Sequence, residues 1–324
     1  MIKLAIDAMG SDAGSSIVIE PVKRFSKEHP VELYVYGKFE ELKELTSQPN
    51  ITVIPTTEVM EMTDGPLAVR RKKDSSMVRA MEDLKEGKVQ GVVSSGGTGA
   101  LLSCGMMLIK PLDKIERAAI LTVLPNSSNT PTVLLDIGAN AENTVEQLGD
   151  FAILGKAYAH SYLGIENPRI SLLNIGSESE KGDDLHKKTY LNLKNDRRLN
   201  FIGNIEADKV LKGVTDVIVT DGFTGNVLLK SLEGTAGFLM KEIKNAFYSS
   251  FSAKLGALLS KKAIYGVKEI MDPQKYGGAL IAGLNAPVVK AHGSSNEIAF
   301  YHAIEQLYSI VEHNVIGKVK EDLV

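Results

Sequence analysis

The sequence predicts an α/β protein: a mostly parallel, twisted sheet wrapped by helices. Three observations predict it. Short β-rich apolar runs alternate with longer segments of helical apolar spacing along the whole chain. Glycine is abundant, 29 of 324 residues, against a usual share of roughly 7%. It gathers in short clusters where apolar runs stop, which reads as tight turns and close backbone approaches. No repeat, low-complexity tract or Pro/Ser-rich linker divides the chain. A single lobe over residues 1–324 is therefore expected, with a protruding helical excursion at about 236–272.

In chain order, residues 2–6 read as a buried strand, 17–27 as a helix and 31–36 as a second strand. A strand at 51–54 follows. Residues 91–95 form a strand that feeds the cluster "SSGGTGA", and 100–109 is apolar enough for a buried helix. A strand at 133–136 precedes helical spacing over 144–163. Further strands are expected at 170–174, 199–202, 217–220 and 288–291, and a helix over 294–311 closes the chain.

Composition narrows the function. Hydrophobic residues make up 44% and charged residues 24%, ordinary for a globular protein. The net charge of −3 gives no case for nucleic-acid binding. One cysteine, Cys104, forbids an intramolecular disulfide. The start "MIKLAIDAMG" lacks a signal-peptide core, and no charge-free apolar run reaches the roughly 18 residues of a spanning helix. A cytoplasmic protein is expected. The six histidines are scattered, without metal-ligand spacing.

The recurring event is an apolar run that ends in small or polar residues. Asp7, Gly10, Ser11 and Asp12 end the first; Ser94 to Gly99 end another. Asp136, Gly138, Asn140 and Glu142 follow, then Asn174, Gly176, Ser177, Glu178, Lys181 and Gly182, then Gly203, Asn204 and Glu206. Thr220, Asp221, Gly222, Thr224, Gly225 and Asn226 end the sixth, and Lys290, His292, Gly293, Ser294 and Ser295 the seventh. Each alone reads as helix caps and turns. If the strands are parallel, all seven converge on one sheet edge, the place where such folds bind ligands.

The glycine cluster fits neither standard nucleotide motif. Gly97-Thr98-Gly99 starts a dinucleotide fingerprint, but Leu102 stands where its third small residue belongs, and no P-loop lysine follows before Lys110. A generic anion cradle remains, with the amides of Gly96, Gly97, Thr98 and Gly99 facing a negative oxygen. Arg70, Arg71, Lys72 and Lys73 form the strongest charge block, read either as a solvated face or as a dock for phosphate or an acidic partner. Cys104 sits in an apolar run with no neighbouring base and reads as a core residue.

Eight blocks, "DAMGSDAG", "RRKKDSSM", "SSGGTGALLS", "LLDIGAN", "LLNIGSESEKG", "FIGNIEA", "VTDGFTGNVLLKSLEG" and "YGGALIAGLNAPVVKAHGSS", occur in this order from residue 7 to 295. Together they closely resemble the bacterial phosphate acyltransferase family of phospholipid synthesis. The first block departs slightly, with Ser11 where the family more often has glycine. The resemblance implies formation of acyl phosphate from acyl-[acyl carrier protein] and inorganic phosphate. It also implies a homodimer, no metal or nucleotide cofactor, and a Rossmann-like sheet similar to isocitrate and isopropylmalate dehydrogenases and to phosphotransacetylase. A membrane acyltransferase then uses the product to acylate glycerol 3-phosphate. A dehydrogenase or acetyl-phosphate enzyme of the same fold, or a carrier-binding scaffold, are the competing readings.

On matching positions the chemistry suggests roles. Phosphate must attack a thioester carbonyl, an oxyanion must be stabilised, and a thiolate must be protonated. Amides at Gly96 to Gly99, Gly176 to Ser177 and Gly293 to Ser295 would serve phosphate and oxyanion. Lys181 and Lys290 would neutralise phosphate, and Ser294, Ser295 and Asn226 would orient it. His292 would protonate sulfur, with Asp221 holding that histidine or taking a proton.

Finally, Leu239, Ile243, Phe247, Phe251, Leu255 and Leu259 recur every four residues, and Met240, Tyr248 and Leu258 widen the stripe. Ser249 and Ser250 are a candidate break. Between Lys241 and Lys268 six lysines face one glutamate, a local balance of +5. The stripe reads as a dimer interface, with tips that rest on anionic lipid at the inner face of the membrane as an additional use.

Overall fold

The computed structural model describes residues 1–11, 14–61, 63–128, 130–263, 266, 277–291 and 295–323. The strands among them form one eleven-stranded sheet: β1 (Ile2–Asp7), β2 (Val31–Gly37), β3 (Ile51–Pro55), β4 (Gly91–Ser94), β5 (Ala119–Leu124), β6 (Thr132–Leu135), β7 (Arg169–Leu173), β8 (Asn200–Ile205), β9 (Val217–Val219), β10 (Ala279–Ala282) and β11 (Val288–Lys290). Their spatial order is β3-β2-β1-β4-β11-β10-β5-β6-β9-β7-β8.

Alternation along the strands sends side chains to both faces. On β1, Leu4 and Ile6 enter one core and Ala5 the other. The first core takes Phe25, Phe151 and Phe300 from the helices Ser16–Glu28, Val145–Leu163 and Glu297–Glu312. The second takes Met77, Met81 and Leu101 from Ser76–Lys85 and Thr98–Cys104. Several helices start at side-chain caps: Thr144 and Gln147 form a reciprocal capping box, and Asp183, Asp221 and Asn296 each accept an amide three residues on.

The sheet is mostly parallel, as expected, but its two parallel blocks oppose each other. Strands β3, β2, β1, β4 and β11 run one way. Strands β6, β9, β7 and β8 are parallel among themselves. Between the blocks lie β10 and β5, each antiparallel to both neighbours. Three successive reversals therefore turn the second block against the first. The expected convergence of seven strand ends on one edge does not occur: β1, β4 and β11 end on one edge, and β6, β7, β8 and β9 on the other.

Smaller differences are local. Strands β5 and β10 have no expected counterpart. The helix after β4 is α-helical over Thr98–Cys104 and π-helical over Gly105–Ile109. The helix Gly222–Tyr248 has 27 residues, about 40 Å at 1.5 Å per residue. It stops at the expected serine pair, where the Ser250 hydroxyl accepts the Ala253 amide and starts Phe251–Leu259. Leu239, Ile243, Phe251, Leu255, Leu258 and Leu259 are exposed, and Phe247 is half-buried. Lys268 lies outside the described residues, as does most of the chain between 264 and 276.

Gly225 seats the first turn of that helix against the main chain of the second block. A Cβ there would collide with the Asp136 carbonyl oxygen, and backbone cannot move aside cheaply. Gly225→Ala should therefore lose about 1–3 kcal/mol of stability, read as a lower midpoint in thermal or urea unfolding. A variant with the parent midpoint would contradict this packing.

Candidate active site

The first edge is built where β1, β4 and β11 end side by side. Asp7, Ser94 and Lys290 stand in register there, and all three are buried. Ser94 Oγ donates to Asp7 Oδ2 at 2.6 Å and accepts the Gly96 amide at 3.0 Å. The Met9 amide donates to Asp7 Oδ1 at 3.2 Å. Lys290 Nζ donates to the carbonyls of Ser95 (3.1 Å) and Ala291 (2.6 Å). Burial pushes the Asp7 carboxyl up, while the Ser76 hydroxyl, the hydrogen bonds from Ser94 and Met9, and the Lys290 charge pull it down.

Above this network the chain turns tightly. Gly10, at φ +79°, needs its left-handed conformation, and a Cβ on it would sit 3.1 Å from Gly96 Cα. Gly97 begins the Thr98–Cys104 helix without a side-chain cap, so the first-turn amides, those of Thr98 and Gly99 included, face outward from the helix end. The Ser95 hydroxyl is buried without a hydrogen-bond partner among the described residues, and Ser295 is buried nearby along the chain from β11. His292, Gly293 and Ser294 lie outside the described residues.

The basic block is not uniform. Arg70, Arg71 and Lys73 are exposed, whereas Lys72 Nζ donates to Asp64 Oδ2 (2.6 Å) and to the Val59 carbonyl (2.8 Å). Three of the four charges thus face solvent.

The second edge gathers Lys181, Asp221, Asn226, Gly176 and Ser177. Asp136 organises its floor. Its Oδ1 accepts the amides of Ile120, Gly138 and Ala139, and its Oδ2 accepts the amide and side chain of Asn140, all between 2.9 and 3.0 Å. Asn226 is exposed, and its side chain lies beside Gly138. Lys181 and Ser177 are also exposed, and Gly176 lies under the Lys181 side chain. Asp221 caps the long helix through Thr224, at 2.8 Å.

A residue missed from the sequence sits here. His186 Nδ1 lies 2.7 Å from Asp183 Oδ1, and its Nε2 lies 4.0 Å from Asp221 Oδ2. The hydrogen bonds from the His186 amide and ring hold the Asp183 carboxyl below its usual range. The only sequence signal was "KGDDLH": a capping aspartate three residues before a histidine, which the helix start places together.

This sheet is shared with phosphotransacylases. A branched-chain phosphotransacylase from Enterococcus faecalis matches with a TM-score of 0.61 at 17% identity, over 95% of this chain and 99% of that one. The EutD phosphotransacetylase from Staphylococcus aureus matches with a TM-score of 0.61 at 15% identity, over 98% and 94%. The family model described as "Fatty acid synthesis protein" matches residues 2–318. Phosphate acyltransferases are much nearer in sequence: that of Lysinibacillus sphaericus is 47% identical over 98% of this chain and 97% of its own length. That of Streptococcus uberis is 44% identical over 99% and 97%. The chain belongs to this phosphate acyltransferase family of fatty acid and phospholipid synthesis.

Cys104 is packed in the second core, as expected. It is buried, and burial together with the nearby Asp7 charge pushes its thiol up to about 12. Iodoacetamide at pH 8 should leave it unmodified in the folded protein and modify it after unfolding, read by intact mass. Rapid labelling of the native protein would show an activated thiol instead.

Proposed function

We propose that the protein transfers the acyl group of an acyl-[acyl carrier protein] to inorganic phosphate. A phosphate oxygen forms the new bond to the carbonyl carbon, the carbon–sulfur bond breaks, and the departing thiolate takes a proton. The product is an acyl phosphate, suited to a membrane acyltransferase that acylates glycerol 3-phosphate. The observation that carries this reading is 44–47% identity to phosphate acyltransferases over nearly the whole chain. No metal or nucleotide is assigned a role, and activity is expected to survive a chelator.

Phosphate is assigned to the first edge. Lys290 supplies charge, the first-turn amides after Gly97 supply donors, and Ser95 and Ser295 supply hydroxyls. The Gly96 amide is engaged by Ser94 and shapes the turn rather than facing the ligand. His292, Gly293 and Ser294 follow β11 directly in sequence, and His292 is assigned the proton for sulfur. Arg70, Arg71 and Lys73 are assigned to capture of the acidic carrier, with Lys72 bracing their loop against Asp64. Since phosphate is already a nucleophile, positioning supplies much of the rate.

A second reading places the chemistry on the other edge, favoured by the Asp183–His186–Asp221 chain at the start of a long helix. There Lys181 would hold phosphate with Gly176 and Ser177, Asn226 would orient it, and Asp221 would handle the proton. One assay separates the readings: acyl phosphate formed from the carrier thioester and phosphate, trapped with hydroxylamine. Lys290→Ala should lower turnover on the order of a hundredfold, and neutralising Arg70, Arg71 and Lys73 should raise KM for the carrier alone. Loss in Lys181→Ala and Asp221→Ala with Lys290→Ala unaffected would move the reaction to the second edge. No trapped product from the parent would remove the proposed reaction.

The apolar stripe is assigned to a homodimer contact and, at its tips, to the inner face of the membrane. Among the described residues no helix is long and apolar enough to cross a bilayer. Leu255 and Leu258 are exposed beside Lys254 and Lys261, a pattern suited to lying on anionic lipid. In flotation with anionic liposomes the parent should float, while Leu255→Glu/Leu258→Glu stays dimeric and remains in solution. A parent that does not float, or a variant that floats equally, would leave the dimer role alone.

A further inference from the structure

Asp7 is a buried titratable group that the chemistry above leaves unused. We propose that Asp7 is a positioning residue that acts through Ser94 to fix the glycine turn receiving phosphate. The inference rests on the assignment of phosphate to the first edge.

The linkage is continuous. One oxygen of Asp7 accepts the Ser94 hydroxyl at 2.6 Å, and that hydroxyl oxygen accepts the Gly96 amide at 3.0 Å. The other oxygen accepts the Met9 amide, one residue before Gly10, which packs on Gly96. A single carboxylate therefore ties the loop after β1 to the loop after β4. The next residues of the second loop, Gly97, Thr98 and Gly99, begin the helix whose amides face the site. A shift of the turn would misplace all of these donors at once, and misplacement of about 1 Å costs on the order of a hundredfold in rate.

The charge state matters to this arrangement. Among the described residues, the groups that face Asp7 are Ser76 from the helix Ser76–Lys85, Ser94 from β4, Lys290 from β11, the Cys104 thiol from the helix Thr98–Cys104, and the Met9 amide. Ionised, Asp7 only accepts, so the Ser94 hydrogen points at it and the Ser94 lone pair stays with Gly96. Protonated, the carboxyl becomes a donor toward Ser94, the Ser94 hydrogen loses its acceptor and the hydroxyl turns, which loosens its hold on the Gly96 amide.

The test follows acyl phosphate formation across pH in the full-length protein. Asp7→Asn and Ser94→Ala should each lower kcat/KM for phosphate on the order of tenfold to a hundredfold. The double variant should be little worse than either, since both cut one chain. Ser76→Ala removes a hydroxyl that pulls the Asp7 pKa down, so the acidic limb of the profile should move to higher pH. Asp7→Asn should lose that limb. Should Asp7→Asn fail to fold, Ser94→Ala and Ser76→Ala carry the test unaided. Parent-like kinetics in Ser94→Ala, or an unmoved limb in Ser76→Ala, would overturn the positioning role while Lys290→Ala remains impaired. If Lys290→Ala is fully active, the edge assignment fails instead, and the inference falls with it.

Discussion

The arrangement depends on one constraint: β10 and β5 are antiparallel to both of their neighbours, so the parallel blocks on either side run in opposite directions. In a simple doubly wound sheet all carboxyl ends line one crevice. Here they are divided, three polar loops to one edge and four to the other. Each block is organised by a buried aspartate at a strand end. Asp7 ends β1 and ties two loops together; Asp136 follows β6 and collects five N–H donors. Both carboxyls are pushed up by burial and pulled back by their hydrogen bonds. Such buried polar networks hold their loops firmly when every member is satisfied.

Much of the fold was legible because local rules and global fold agree. Apolar runs became strands and the serine pair at 249–250 broke the helix. Strand direction was not legible. Side-chain alternation has the same period in parallel and antiparallel strands, so "AILTVL" and "ALIA" carry no mark of their reversal. The false convergence of strand ends followed from that blindness.

The candidate site was legible in kind but not in partnership. Ser94 and Asp7 are 87 residues apart, and nothing local pairs them. By sequence Gly96 reads as a ligand donor, but its amide donates to Ser94. By sequence Lys72 reads as equal to its basic neighbours, but Asp64 and the Val59 carbonyl hold it. His186 carries no signal of its own in the sequence, one histidine in a polar helix start. The family, by contrast, was legible from eight ordered blocks, since agreement over that length does not depend on knowing the fold. Fold likeness at 15–17% identity adds architecture only.

The central claim is that the acyl group of the carrier thioester ends on an oxygen of inorganic phosphate. The most direct measurement is 31P NMR of the protein with an acyl-[acyl carrier protein] and phosphate bearing 18O. The account predicts a new acyl phosphate resonance, growing only when both substrates are present. Three 18O atoms should sit on its phosphoryl group and one in the carbon–oxygen bridge. Free fatty acid without that resonance, or an acyl phosphate whose bridging oxygen is unlabelled, would contradict it.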